Sequence, residues 1–228
     1  MKHSGKARSA AFKMIFITLV LALLVPVVGL VAAFVGLTMV AISWILVAIW
    51  AVFALFTLYF FRDPTARVPD EPNAVVSPGH GRVDVIDTVT EPLFMRGECQ
   101  RISMFLSVFN VHVQNAPVSG NVVFFKYTEG QFLSALKADS ALFNENALIG
   151  IECSESHKSK VGFRLIAGVL ARRIVPWVAP GDIVARGDRV SLIQFGSRVD
   201  VYLPFSAKLR VKVGDKVVGG ETILASFE

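Results

Sequence analysis

Between residues 14 and 61 the chain carries no charged side chain, and Val, Leu, Ile, Ala and Phe dominate the run. As helix such a run extends about 70 Å, about twice the hydrocarbon thickness of a bilayer. Two spans of roughly 20 residues in a tight hairpin therefore fit better than one, with the turn expected near residues 36–43. Pro26 lies inside the first span, where membrane helices tolerate it better than soluble ones do. The run is too long for the apolar region of a signal peptide, and no small-residue cleavage site is followed by a polar start.

Residues 62–78 hold Pro64, Pro69, Pro72 and Pro78, so they read as an extended linker without helix. Beyond them, short runs rich in Val, Ile and Phe alternate with Gly, Pro, Asn and Asp. Strands are predicted at 82–86, 101–108, 121–127, 147–153, 161–167, 189–194, 198–203, 209–213 and 222–227. Only 131–144 reads as loop-like or weakly helical. The expected fold class is mainly β (α+β): a transmembrane helical hairpin followed by a β-rich domain. The expected organisation is a basic tail at 1–13, the membrane hairpin at 14–61, the linker at 62–78 and a catalytic β domain at 79–228.

An internal echo sharpens the fold. Gly181-Asp182-Ile183-Val184-Ala185-Arg186-Gly187-Asp188 is matched by Gly214-Asp215-Lys216-Val217-Val218-Gly219-Gly220-Glu221. Each has a Gly-Asp turn, a valine, then Gly followed by an acid leading into a strand. The pattern is similar to the turns of biotinyl/lipoyl-type barrels, where glycine relieves the φ constraint of tight β connections.

The net charge of +5 is partly carried by the N-terminal tail. Lys2, Lys6, Arg8 and Lys13 precede the apolar run, and Arg62 and Arg67 follow it. The positive-inside rule then sets both flanks in the cytoplasm, as a hairpin requires. The chain reads as anchored in the cell (inner) membrane with its β domain facing the cytoplasm. The excess charge suits anionic lipid, and no aromatic–basic interleaving points to nucleic acid. Cys99 and Cys153 are isolated, which reads as two reduced, buried thiols. No ligand cluster suggests a metal.

The candidate chemistry lies in Phe195-Gly196-Ser197-Arg198-Val199-Asp200-Val201-Tyr202-Leu203-Pro204. A Gly-Ser pair alone is compatible with a simple turn. A hydrolase nucleophile elbow is excluded, because Gly-x-Ser-x-Gly would need glycine where Phe195 and Val199 stand. The pair also suits self-cleavage. Glycine permits the strained geometry in which the serine Oγ attacks the Gly196 carbonyl carbon. An ester forms, Gly196 leaves by β-elimination, and the resulting dehydroalanine hydrolyses to a pyruvoyl group. Such a serine needs a base. His3 is in the tail, His157 is in a polar stretch, and His112 closes the apolar run from Ile102. A histidine there is compatible with a structural role as well as a catalytic one.

Four segments taken in order resemble the phosphatidylserine decarboxylases in their short prokaryotic form: residues 59–64 (Tyr-Phe-Phe-Arg-Asp-Pro), 103–120 around His112, 166–175 around Arg172 and Arg173, and the Phe-Gly-Ser segment. The resemblance implies a membrane-bound decarboxylase converting phosphatidylserine to phosphatidylethanolamine and CO2. Its cofactor is a pyruvoyl group made from Ser197, with which the substrate amine forms a Schiff base. Cleavage between Gly196 and Ser197 gives a β chain of residues 1–196 and an α chain of residues 197–228. His112 matches the histidine used in self-processing and decarboxylation. Arg172 and Arg173 are expected on the lipid-facing side of the site, on phosphate, with a solvated basic turn as the bland alternative. Association into a homo-oligomer is left open.

The chain departs from the family pattern twice. Ser77-Pro78-Gly79-His80-Gly81 stands where many members read Ser-Pro-Ala-Asp-Gly, so His80 replaces the aspartate that would orient the catalytic histidine. Asn144-Glu145-Asn146 stands where Asn-Glu-Arg is usual. His80 is thereby a candidate member of the relay, with Asp84 or Asp87 as alternative carboxylates. The first departure also leaves open a catalytically degenerate homologue serving as a lipid-binding or assembly module.

Overall fold

The computed structural model describes residues 6–133, 143–154, 159–168, 173–194 and 197–227, with side chains from residue 15 onward. It divides into two units, Met1–Thr57 and Leu58–Glu228.

Helix α1 runs without interruption over Lys6–Phe60. Its apolar part, Ile15–Phe60, is long enough by length and composition to cross a membrane. The expected hairpin is therefore corrected to one continuous helix. The expected turn region lacks turn chemistry: Gly36 does not adopt positive φ. The hydroxyls of Thr38 and Ser43 bond back to the carbonyls of Val35 (2.8 Å) and Met39 (2.9 Å), within the helix. Pro26 is accommodated inside it.

Among the described residues, the second unit holds only strands and their connections after the end of α1. Its strands are β1 (Ala74–Val76), β2 (Gly81–Glu91), β3 (Gly97–Leu106), β4 (Val113–Asn115), β5 (Gly120–Thr128), β6 (Asn146–Cys153) and β7 (Lys160–Ala167). They continue with β8 (Ile174–Pro176), β9 (Ile183–Val184), β10 (Arg189–Ile193), β11 (Ser197–Leu203), β12 (Ala207–Leu209), β13 (Lys216–Val217) and β14 (Ile223–Phe227). One sheet has eight strands in the order β13-β2-β3-β11-β7-β6-β5-β9, and two have three strands, β1-β14-β12 and β4-β10-β8. The strand predicted at 209–213 lies earlier, at Ala207–Leu209, where a turn from Pro204 (Ala207 N to Pro204 O, 3.0 Å) starts the pairing with β14. The predicted loop at 131–144 falls mostly outside the described residues.

The sequence echo is a structural repeat. Gly181 and Gly214 have φ of 103° and 100°, and Gly187 and Gly220 have φ of 86° and 73°, a region that only glycine enters readily. Asp182 and Asp215 each accept from the amide three residues earlier, at 2.8 and 3.0 Å. The strands behind these turns close opposite ends of the large sheet, β9 on β5 and β13 on β2. The repeat extends further: β4–β10 matches β1–β14, and β8 against β10 matches β12 against β14. One copy (β4–β10) is inserted between β3 and β11 of the other, so β11 begins where the inserted copy ends. One core cluster, including Val83, Met104, Leu106, Phe163, Val199 and Val201, lies beneath the sheet. Cys99 and Cys153 are buried and form no disulfide.

The linker belongs to this unit rather than hanging from it. Arg67 N donates to Glu221 (3.0 Å), Arg189 pairs with Asp63 (2.7 Å), and the end of the linker is strand β1.

Candidate active site

Ser197 opens β11, between β3 and β7, opposite Leu106 and Ala167. Alternation along the strand turns Ser197 to the side of Val199, Val201 and Leu203, which belong to the core, and Arg198, Asp200 and Tyr202 to the other. All seven residues are buried. The Ser197 Oγ is buried and has no hydrogen-bond partner among the described residues. Leaving a buried hydroxyl unpaired costs about 1–3 kcal/mol, which marks the position as one kept for something other than packing. Phe195 and Gly196, hence the other half of the expected cleavage site, lie outside the described residues, and so does Arg172.

His112 lies between β3 and β4 and is fully buried. Its Nδ1 is 3.0 Å from the Asn110 carbonyl. A carbonyl only accepts, so Nδ1 carries the proton and the neutral ring keeps its basic lone pair on Nε2. The Phe60 ring packs on the imidazole with centroids 4.4 Å apart and planes at 32°. Burial pushes the His112 pKa down to about 4, and the charges of Arg62 and His80 push the same way against the raising effect of the Asn110 carbonyl. The His112 carbonyl accepts from Ile193 N (3.1 Å) and Gln114 Nε2 (2.6 Å), and Gln114 in turn accepts from Ser191 Oγ (2.7 Å). The histidine is thus tied to β10, the strand that leads into Ser197. No hydrogen bond joins the His112 ring to the Ser197 hydroxyl among the described residues.

His80 stands in the turn between β1 and β2, half-buried over Gly219, where a Cβ would come within 2.9 Å of its Cδ2. Burial lowers its pKa, Glu221 opposes that and Arg62 adds to it, so the ring is neutral at pH 7. Its charge acts on His112, which brings the two histidines into one site. The alternative carboxylates are committed elsewhere. Asp84 pairs with Arg198 through two hydrogen bonds, one of 2.9 Å. Asp87 pairs with Arg101 at 2.9 and 2.6 Å.

Arg173 is exposed, and its carbonyl accepts from Gln194 N (3.2 Å), so its backbone holds the end of β10. Its charge acts on Tyr127, whose hydroxyl donates to Glu145. The second departing motif is structural: Asn144 Nδ2 donates to Ala167 O (2.7 Å) and Leu133 O (2.8 Å), and Asn146 Nδ2 to Asn144 O (2.8 Å). Ala167 is the cross-strand partner of Ser197, so this motif fixes the strand end beside the serine.

Sequence reasoning missed the far face of β11. Asp200 is 1% exposed, accepts from Ser103 Oγ (2.5 Å) and lies 3.9 Å from Arg101; burial raises its pKa against these partners. The polar alternation Arg198-Asp200-Tyr202 suggests a solvated face, and only the pairing of charges across neighbouring strands reveals a buried one.

Residues 53–225 match the phosphatidylserine decarboxylase family. Among curated relatives, the phosphatidylserine decarboxylase proenzyme of Desulfotalea psychrophila is 47% identical over 204 residues, covering 89% of this chain and 94% of the relative. That of Symbiobacterium thermophilum is 42% identical over 199 residues, covering 87% and 91%. That of Geotalea uraniireducens is 43% identical over 195 residues, covering 85% and 90%. With similarity running through nearly the whole β unit and most of each relative, the chain belongs to the phosphatidylserine decarboxylase family.

Proposed function

We propose that this chain is a proenzyme that cleaves itself between Gly196 and Ser197 and then decarboxylates phosphatidylserine to phosphatidylethanolamine and CO2. The observation that carries the reading is the buried Oγ of Ser197, without a hydrogen-bond partner among the described residues, at the first residue of β11. A hydroxyl so held fits a group that is to be converted, and the proenzyme names of the relatives agree with processing into two chains. The alternative of a degenerate lipid-binding module is not favoured, since nothing but His80 supports it.

In the proposed self-cleavage Ser197 Oγ attacks the Gly196 carbonyl carbon while His112 Nε2 takes the hydroxyl proton. The C–N bond breaks as the ester C–O bond forms. Removal of the Ser197 α-proton then expels the Gly196 carboxylate, and water releases ammonia to leave the pyruvoyl group. That group supplies an electron sink for loss of CO2. His112, held neutral by burial, is in the form that can accept a proton at neutral pH, though its depressed pKa makes it a weak base there. His80, neutral beside it, can accept or donate one hydrogen bond but cannot supply the negative charge of an aspartate.

The apolar helix is proposed as a membrane anchor in the cell (inner) membrane. Placing the β unit in the cytoplasm by the positive-inside rule required two spans and does not carry over to one continuous helix. The paired Gly-Asp turns are proposed to be of the biotinyl/lipoyl kind. Arg173 stays a candidate for the lipid-facing side through its exposure.

Intact-mass analysis of the purified protein tests the main reading. Two chains are expected, the shorter lacking a free N-terminal amine, and Ser197→Ala is expected to leave one uncleaved, inactive chain. Active preparations containing only the uncleaved chain would overturn it.

A further inference from the structure

A cavity of about 490 Å³ opens beside the two histidines, lined by Arg62, His80, Arg82, Phe105, Ser107 and Lys216 among others. Five arginines of the unit meet carboxylates: Arg101 with Asp87, Arg198 with Asp84, Arg189 with Asp63, Arg210 with Glu71, Arg164 with Glu91. Among the described residues, no carboxylate pairs with Arg62, Arg82 or Lys216.

Two of these cations oppose each other by design of the sheet. Arg82 and Lys216 are directly facing partners in the β2–β13 ladder, and like charges in that relation are destabilising. Arg82 is held by one bond, Nε to Gly214 O (3.0 Å). Arg62 is fixed more firmly: its NH1 donates to Tyr59 O (2.8 Å), its NH2 to Phe109 O (2.7 Å), and its guanidinium sits 4.0 Å over the Tyr59 ring. A fixed cation facing an unneutralised cross-strand pair is an arrangement that an anion completes.

The cavity borders the reactive residues. Phe105 in its wall is the cross-strand partner of Arg198, the residue after Ser197, and His80 lines the cavity directly. Asn110 and Val111 in its wall lead directly into His112. Arg82 is in register with Phe105 and Arg198, on the sheet face opposite Ser197. Arg82, Leu106 and Ser197 nevertheless all lie at the same end of the sheet. Arg82 and Ser197 are two strand spacings apart there, roughly 10 Å, so a phosphodiester headgroup would span the two around the strand ends. The apolar run ends at Phe61 and Phe60 packs on His112, so a lipid headgroup has short access.

We infer that Arg82 and Lys216, with Arg62 beside them, bind the phosphodiester of the phosphatidylserine headgroup, leaving its amine and carboxylate to reach Ser197. The inference rests on the proposed decarboxylase reading and assigns its phosphate contact to this cavity rather than to Arg172 and Arg173.

The test uses the full-length chain in detergent micelles with Arg82→Gln, Lys216→Gln and the double substitution. In the double variant we expect at least a tenfold rise in KM for phosphatidylserine, kcat within about twofold and unchanged self-cleavage, with partial rescue by Lys216→Arg. Soluble glycerophosphoserine is expected to raise the melting temperature of uncleaved Ser197→Ala, and not when the double substitution is added. An unchanged KM together with an unchanged thermal shift overturns the inference. Inorganic phosphate that inhibits the wild type and spares the double variant, while lipid KM is unaltered, would make this a free-anion site and overturn the headgroup assignment. A wild type that releases no CO2 defeats the decarboxylase reading instead, and the glycerophosphoserine shift in Ser197→Ala still decides whether the cavity binds the headgroup.

Discussion

Arg198 and Asp84 form a two-bonded ion pair across the full width of β3. Asp84 is the extra residue of a bulge in β2, where the register against β3 shifts between Val83 and Val85. The bulge re-aims one side chain, and that side chain meets the residue immediately after Ser197. Arg198 is 1% exposed, so its charge depends on this partner and its neighbours for solvation lost on folding.

Removing one side of such a pair strands a buried charge. For Asp84→Asn the expected loss is about 3 kcal/mol, the low end for a buried pair because Asp84 keeps partial solvent contact. In a unit of this size that corresponds to a fall in melting temperature of about 6–12 °C. Thermal unfolding of the uncleaved Ser197→Ala protein measures it without interference from processing. Replacing both partners, Asp84→Asn with Arg198→Met, is expected to cost less than the sum of the single changes. Additive losses would mean that the two residues do not act as a pair.

This pair also shows what the sequence could and could not carry. Strand β11 was legible through its β-branched residues at 199 and 201, and the turns at Gly181 and Gly214 through their matching Gly-Asp spacing. Ser197 and His112 stand out in the sequence because chemistry-bearing residue types stand in otherwise apolar runs, and both side chains are buried in the structure. The bulge at Asp84 leaves no mark in composition, so the clamp on Arg198 was not legible. Arg82 facing Lys216 likewise depends on strand register, which is set by packing rather than local preference. Short strands such as β9 and β13 exist only because a long neighbour offers its edge. The helix misled for the opposite reason: length against bilayer thickness argued for a hairpin, but no residue within 36–43 breaks the backbone hydrogen bonding.

Attachment to membranes is expected to depend on the helix and not on the β unit. Burying an apolar span is effectively irreversible, whereas surface cations contribute only about 1 kcal/mol each and are weakened by salt. The place of truncation matters. Leu58 to Phe60 belong to the β unit, and Tyr59 and Phe60 contact Phe109 and His112. Deleting residues 1–57 should therefore give a folded, soluble protein that still cleaves itself but turns over bilayer substrate poorly. Deleting 1–61 should in addition uncover His112 and slow cleavage. Salt-resistant pelleting of the shorter deletion with vesicles would place the anchor elsewhere.

The last expectation concerns proton transfer at His112. Its folded pKa of about 4 lies below the ordinary histidine value of 6.5. For a histidine with a depressed folded pKa, the unfolded chain binds the proton more readily. Its stabilising effect is therefore complete above pH 6.5 and is lost as pH falls from 6.5 toward 4, by about 3 kcal/mol in all. With the neutral ring as the proposed base, self-cleavage should stay constant from pH 8 to about 5 and fail only near pH 4. Phe60 contributes to that burial, so Phe60→Ala should admit water, raise the His112 pKa and move the failing point upward by about one unit. His80 enters with a definite sign. In the proposed relay His80, neutral at pH 7, would hold His112 without stabilising an imidazolium, so His80→Asp should raise the His112 pKa and speed cleavage several-fold at pH 7, and His80→Ala should slow it. Asp84→Asn and Asp87→Asn, whose carboxylates are held by arginines, should leave the pH midpoint where it is. Cleavage time courses from pH 4 to 8 for these five variants decide the matter. A midpoint that moves in Asp84→Asn or Asp87→Asn and stays fixed in both His80 variants would remove His80 from the relay.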